Sequence, residues 1–311
     1  MSRLVPKRKI HFIGFLANVD DSILKLNLGH PFAIEKKSQQ DVIPFLRHID
    51  MHWGVEERFG ISAVEKQGDI LVRGQSFYCI TARNLTSFEG TPQGGVVGKR
   101  AEVKRIAGSI RDKIRLLRLY KGGNILLDFL CMYYIKNSEP SVIWMGREDP
   151  IADRTEFVLS DSDIMEAQSF IKDTTIPFRK SFLQLAFEVF ELSYEVHDLG
   201  LAFLSLMIAL EVMFTKEREG LSYGLARNTA VLLGESEEKA DSIFNEVRNF
   251  CRTRGNLVHA GKKDEIKKGD VLKLRDYVRK AIKDINTIGK GKDEILDTLK
   301  ACGFGQRLRR K

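Results

Sequence analysis

Residues Leu199 to Phe214 form a 16-residue apolar run broken by one charge, Glu211. A membrane span needs roughly 20 uncharged residues, so the run reads as a helix buried in a bundle. It is apolar nearly all round as far as Lys216, which makes it the central helix of whatever surrounds it. Glu211 is a constraint of its own. A buried carboxylate needs a partner, and Arg227, Arg252 or Arg254 can supply it. Such a pair serves either to fix the bundle or to assist chemistry.

The residues around the run continue the helical pattern. Ser160 and Asp163 have capping-box spacing before Ile164, Ala167 and Ile171. Pro177 sits where the next helix can start. That helix buries Phe178, Phe182, Ala186, Phe190 and Tyr194 and shows Gln184, Glu188, Glu191 and Glu195 as an exposed stripe. Leu221 to Leu233 is stopped by Gly234. Ser236 caps a helix expected to run to about Arg254, with Glu237 and Glu238 in its first turn. Val271 to Ile288 and Asp293 to Cys302 complete the set.

The first part reads differently. Lys9 to Leu16 and Ile23 to Leu28 read as strands around a turn at Asp20-Asp21, and Gln39 to His52 as a short helix. Ile70 to Thr81 reads as a strand pair broken near Gly74, and Glu89 to Gly98 as a loop. That loop lacks the Gly-Lys-Ser/Thr of a phosphate-binding P-loop. Glu102 to Lys121 is a helix with Val103, Ile106, Ile110, Ile114 and Leu117 on one face, ended by Gly122-Gly123. Ile125 to Lys136 and Val142 to Met145 form a hairpin with Pro140 in its turn. The reading is an α+β chain: an N-terminal β-rich domain over 1–155 and a C-terminal helical domain over 156–311.

The 311 residues carry a formal charge of +8, which is the remainder of a cancellation. Residues 156–246 hold 17 acidic against 7 basic residues, a net −10, while 248–283 hold 12 basic against 4 acidic, a net +8. Residues 99–121 add +7 and Arg307 to Lys311 add +4. Such asymmetry points to localised anion sites. Arg100, Lys104, Arg111, Arg115 and Arg118 fall within about 60° of one another on a helix, a stripe able to track an RNA backbone. Lys262, Lys263, Lys267 and Lys268 widen the second basic segment.

The cysteines, Cys79, Cys131, Cys251 and Cys302, lie far apart with no CxxC pair. A disulfide framework and a thiolate zinc site are excluded by that spacing, which fits a reducing compartment. His11, His30, His48, His52 and His197 show no metal-ligand set, and His48 and His52 at i, i+4 lack a third ligand. No cofactor or metal is expected. Without a cleavable leader or a span, the chain is placed in the cytoplasm.

The densest chemistry lies in Cys251-Arg-Thr-Arg-Gly-Asn-Leu-Val-His-Ala-Gly261. Arginine holds phosphate bidentately, and histidine moves protons near neutral pH. Arg254 and His259 are five residues apart, so on a continuous helix they point about 140° apart. Either the helix breaks near Gly255 or one site is assembled from two chains. Together the pair suits metal-free cleavage of RNA by attack of the 2′-hydroxyl on the adjacent phosphate.

Here the chain resembles a family. Arg254-Gly-Asn-Leu-Val-His259 is similar to the Arg-x4–6-His signature of HEPN domains. The ordered set Leu206-Met-Ile-Ala-Leu-Glu-Val-Met-Phe214, Leu225-Ala-Arg-Asn-Thr-Ala-Val-Leu-Leu233 and Arg254…Val-His-Ala-Gly261 resembles the Apea-like HEPN group over 199–262. More weakly, Ile114-Arg-Leu-Leu-Arg-Leu-Tyr-Lys-Gly-Gly123 resembles its N-terminal half. The resemblance implies a homodimer through the helical domain with paired Arg-x4-His motifs, and a metal-independent endoribonuclease. The hydrolases of this group act in phage defence as antiviral nucleases, as toxins neutralised by an antitoxin partner, or in RNA processing. Arg254 would then polarise the scissile phosphate and His259 act as general acid or base. Asn256 is the candidate polar helper, because Gly255 stands where the family commonly has a polar residue. Glu211 and Arg227 support the site, while Arg252, Lys262, Lys263, Lys104, Arg111, Arg115 and Arg118 contact RNA. The alternative is a non-catalytic RNA- or protein-binding module or sensor, which Gly255 favours.

Overall fold

Strand pairing in the first part follows the alternation of its apolar residues. In the computed structural model, which describes residues 8–53, 64–66, 69–71, 76–83, 87–90, 96–97, 100–147, 155–216 and 221–306, the strands are β1 Arg8–Lys9, β2 His11–Ala17, β3 Phe32–Lys37, β4 Val64–Lys66, β5 Asp69–Leu71, β6 Phe77–Ala82, β7 Ser87–Gly90, β8 Val96–Val97, β9 Leu126–Lys136 and β10 Glu139–Arg147. Five of them form an antiparallel sheet in the order β10-β9-β2-β6-β3. Ile13 and Phe15 of β2, Cys79 of β6 and Phe129 and Cys131 of β9 share one face. That face packs on Val42, Phe45 and Leu46 of α1 (Gln39–Trp53). Leu126 to Met132 are all buried, so β9 is covered on both faces and reads as an almost continuous apolar run. The layout is α+β, with this sheet at the N-terminal end and a run of helices after it.

Local chemistry overrides four sequence expectations in this part. Residues 21–25 are a 3-10 turn rather than a strand, because the Asp20 carboxylate accepts from the Ser22 N–H and caps it. The β9–β10 turn is Asn137-Ser138, both at positive φ (51° and 68°), and Pro140 lies within β10 opposite Ile135. β10 is an edge strand, where a missing N–H costs no ladder bond. The segment around 70–81 does not fold on itself: β5 pairs with β4, and β6 lies between β2 and β3. Within Glu89–Gly98, expected as a loop, β7 and β8 pair through Glu89 with Val97 and Gly90 with Val96. Gly74 and the tail Arg307 to Lys311 lie outside the described residues, as do the side chains of His48, His52 and Arg100.

The chain divides into two compact units. One holds the described residues of Met1–Arg118, Gly123–Asp149 and Arg154–Asp173, and the other those of Leu119–Gly122 and Thr174–Lys311. The division near residue 173 differs from the expected boundary at 155. It leaves α3 (Asp161–Asp173) in the first unit, where Gln168 donates to the Lys25 carbonyl and Lys25 pairs with Asp161 at 2.6 Å. The capping box there is formed: the Ser160 N–H donates to Asp163 at 2.7 Å, and the Asp163 N–H to the Ser160 hydroxyl at 3.3 Å. The same unit takes α2 (Arg100–Tyr120) as far as Arg118, with Ile106, Ile110, Ile114 and Leu117 buried.

The second unit contains α4 (Ser181–Glu195), α5 (Leu199–Phe214), α6 (Leu221–Leu233), α7 (Glu237–Ala260), α8 (Lys268–Ile288) and α9 (Lys292–Ala301). The apolar run is α5. Among the described residues it packs against each of the other five helices, burying Phe203, Leu206, Met207, Leu210, Met213 and Phe214. Its cover is incomplete: Leu201 and Ile208, seven residues apart and so on one face, stay exposed. The helix after Pro177 starts four residues later than expected, at Ser181, with Gln184 reaching back to accept from the Phe178 N–H. Glu191, expected on the exposed stripe, is buried. Its neighbours on the same helix pack against guanidinium groups, with the buried Arg275 over the Tyr194 ring and Arg279 over Phe190.

No helix among the described residues is long and apolar enough to cross a membrane. Because α5 touches every neighbour, Leu206→Ala is expected to cost about 2–5 kcal/mol in urea unfolding. A destabilisation below about 1 kcal/mol would show that α5 is not the hub.

Candidate active site

Helix α7 carries the dense segment, and its ends are set locally. The Ser236 hydroxyl accepts from the Lys239 N–H at 3.2 Å, with Glu237 and Glu238 in the first turn. At the other end Gly261 takes φ 65°, and its N–H bonds the Leu257 carbonyl at 3.1 Å. The helix therefore runs six residues past its expected end at Arg254, straight through Gly255. Of the two arrangements left open by the spacing, a break at Gly255 is ruled out. Within one chain Arg254 and His259 point about 140° apart.

Arg254 turns toward α5. Its Nη1 lies 3.3 Å from Glu211 Oε1, and its Nη2 lies 3.4 Å from Oε2. Among the three arginines that could partner Glu211, the fold selects this one. The contact is bidentate but longer than the ~2.7–2.9 Å of a tight charge-assisted bond. Both side chains keep solvent access, 38% for Arg254 and 23% for Glu211. Such a pair positions the guanidinium while leaving it exchangeable for another anion. Next to it is Cys251, whose thiol is pushed up by burial against an opposing hydrogen bond with Ser222. It stays protonated near neutral pH and is no nucleophile.

His259 is exposed in the last turn of α7, and its side chain makes no hydrogen bond with a described residue. Arg252 is exposed on the same face, about 20° away by helical rotation. Asn256 donates to Glu265 at 2.8 Å and lies off that face, closing the turn after α7. Lys262 stands 3.8 Å from the same Glu265, and Lys263 donates to Asp198 at 3.0 Å. Asp198 is also the N-cap of α5, accepting from the Leu201 N–H at 2.9 Å. At the start of α8 the Lys267 N–H donates to the Asp270 carboxylate at 3.2 Å. Sequence reasoning passed over Asp198, although an Asp immediately before an apolar run is an N-cap signal. The tie from Asp198 to Lys263 is tertiary and has no local signal.

The remaining expected residues are placed elsewhere. Arg227 donates to the carbonyls of Leu299 at 2.9 Å, Lys300 at 3.2 Å and Cys302 at 2.8 Å, so it closes the C-terminal end of α9 and does not reach Glu211. In α2, Lys104 is exposed while Arg111 and Arg115 are half-buried, with Arg115 3.8 Å from Asp112. Arg118 is buried and donates to the Ile125 carbonyl at 2.8 Å. It is a structural residue, and the upstream stripe is shorter than the sequence suggested. Among the described residues no three His, Cys, Asp or Glu side chains gather as metal ligands.

Two outcomes follow from these contacts. Arg227→Ala leaves carbonyls at the end of α9 without their donor and is expected to cost about 1–3 kcal/mol in thermal unfolding. The Asp198 carboxyl is held below the usual aspartate range by the Lys263 ammonium first and the Leu201 N–H second. A group lowered on folding contributes stability above its unfolded value and loses it as pH falls through its folded value. The difference in Tm between wild type and Asp198→Asn is therefore expected to be full at neutral pH, to shrink below about pH 4 and to vanish in stronger acid. A difference independent of pH would refute the assignment. Comparison of the chain with families of known proteins, with curated proteins and with solved structures finds no match.

Proposed function

We propose that the chain is a metal-independent endoribonuclease of HEPN type, acting in the cytoplasm as a homodimer. Its catalytic centre combines Arg254 and His259 from two copies. The observation that carries this reading is the unbroken course of α7 through Gly255. It separates the two side chains by about 140° in one chain, so a second copy is the way to bring both to one phosphate. The exposed Leu201 and Ile208 of α5, with Val258 beside Arg254 on α7, offer apolar area for that pairing. The resemblance of the three helical segments to Apea-like HEPN domains supports the same arrangement.

The chemistry needs only these side chains and water. The imidazole of one His259 removes the proton from the 2′-hydroxyl, whose oxygen attacks the adjacent phosphorus. The bond from phosphorus to the 5′-oxygen breaks, and a water molecule protonates that leaving oxygen. Arg254 moves from Glu211 to the phosphate and offsets the charge that builds on its oxygens. The products are a 2′,3′-cyclic phosphate and a 5′-hydroxyl.

Gly255, where the HEPN family that the chain resembles commonly has a polar residue, favours a second reading, a module that binds RNA without cutting it. Product chemistry separates the two. Incubation of single-stranded RNA with the protein and EDTA is expected to yield 2′,3′-cyclic phosphate ends. His259→Ala is expected to abolish them, with circular dichroism and dimer mass unchanged. Cleavage at the wild-type rate by His259→Ala would sink the nuclease reading, and retarded but intact RNA would establish the second.

A further inference from the structure

The face of α7 that carries His259 is a constellation in its own right. Arg248, Arg252, Gly255 and His259 follow at intervals of four, three and four residues, so they fall within about 60° of one another. The three side chains are exposed. Arg248 lies over the ring of Phe244, 5.7 Å from its centroid. Tyr223, 60% exposed, packs edge-on against that same ring at 5.6 Å. One line on the surface thus holds an accessible aromatic ring, two guanidinium groups, a residue without a side chain and an imidazole.

Gly255 is the informative member. A glycine inside a helix costs about 0.5–1 kcal/mol relative to alanine. That cost is commonly explained by a neighbour packed too closely for a Cβ. Here a Cβ built at Gly255 would meet no atom within 4 Å. Nothing in the packing of the described residues requires the glycine. The bare backbone faces outward, about 4.5 Å along the axis from Arg252 and 6 Å from His259.

We propose that this face is a track for single-stranded RNA. A base stacks on Tyr223, Arg248 and Arg252 hold successive phosphates, and the strand passes close over Gly255 to reach His259. Guanidinium groups beside an accessible ring are the combination that holds unpaired nucleotides. A second copy of the chain is a poorer occupant. Crossing at Gly255, it would set Arg248 and Arg252 against its own arginines or against the basic turn at Lys262-Lys263, and like charges oppose association. The track takes its ligand class from the ribonuclease reading but needs no catalysis.

The test uses a fluorescent single-stranded RNA methylated at every 2′-oxygen, which the full-length protein can bind but cannot cleave. Anisotropy is expected to show about tenfold weaker binding for Arg248→Ala, Arg252→Ala and Tyr223→Ala. The slope of log affinity against log salt is expected to fall by roughly 0.7 for each phosphate that an absent arginine no longer neutralises. Gly255→Leu is expected to weaken binding while Tm holds or rises, since leucine is the better helix former. Full-strength binding by the Arg248→Ala/Arg252→Ala double variant would overturn the track. So would a Gly255→Leu variant that dissociates the dimer yet binds RNA normally, or equal affinity for a duplex of the same length. The two proposals fail separately. Weakened binding in the variants, with no cyclic phosphate from wild type on ordinary RNA, keeps the track and removes the nuclease. Cleavage that depends on His259 while binding ignores Arg248 and Arg252 does the reverse.

Discussion

The burial of α5 governs the helical unit. A helix touched by five others has one narrow face left for its single carboxylate, and Glu211 occupies it. Once Glu211 is fixed there, the arginine opposite is fixed as well. Arg254 meets it with both nitrogens, on a helix whose rotation is set by the burial of Val247, Phe250 and Leu257. Everything else on α7 follows from that rotation. Val247, Phe250 and Leu257 go into the core, while Arg248, Arg252 and His259 go to solvent. The ion pair itself is half-exposed and stabilises little. Its role is to hold the guanidinium beside α5, and an arginine one place earlier or later would point ~100° away from Glu211.

Periodicity made most of the helical unit legible. The apolar stripes of α5 to α9, the stop at Gly234 and the cap at Ser236 are local features, and the structure keeps them. What was not legible depended on distant partners. Glu191 looks like a surface residue by its spacing on α4, yet the fold buries it. Arg118 has the spacing of a basic stripe, yet the carbonyl of Ile125 draws it inside. Arg227 follows an apolar run like a site residue but serves the end of α9. In each case a charged side chain was read from its own helix alone, and its direction was decided by another element.

The end of α7 shows a different source of error. Gly255 reads as a stop signal, since glycine is a poor helix former. The helix passes through it because Phe250 and Leu257 anchor the turns on either side in the core, and because Gly261, not Gly255, adopts the left-handed conformation that closes it. Whether the helix breaks at Gly255 was left open by the sequence, and the packing decides that it does not. In the sheet unit the corresponding surprises are short-range. A side-chain cap at Asp20 and the two left-handed residues Asn137 and Ser138 outweighed the apolar pattern over a few residues.

Because α7 has no hinge between Arg254 and His259, these two groups cannot be tuned independently. A twist of the helix that draws the arginine off Glu211 swings the histidine through the same angle, outward on the opposite side. The relative direction of the two side chains is therefore a property of the interval between them: one residue inserted between 254 and 259 would carry the imidazole ~100° around the cylinder.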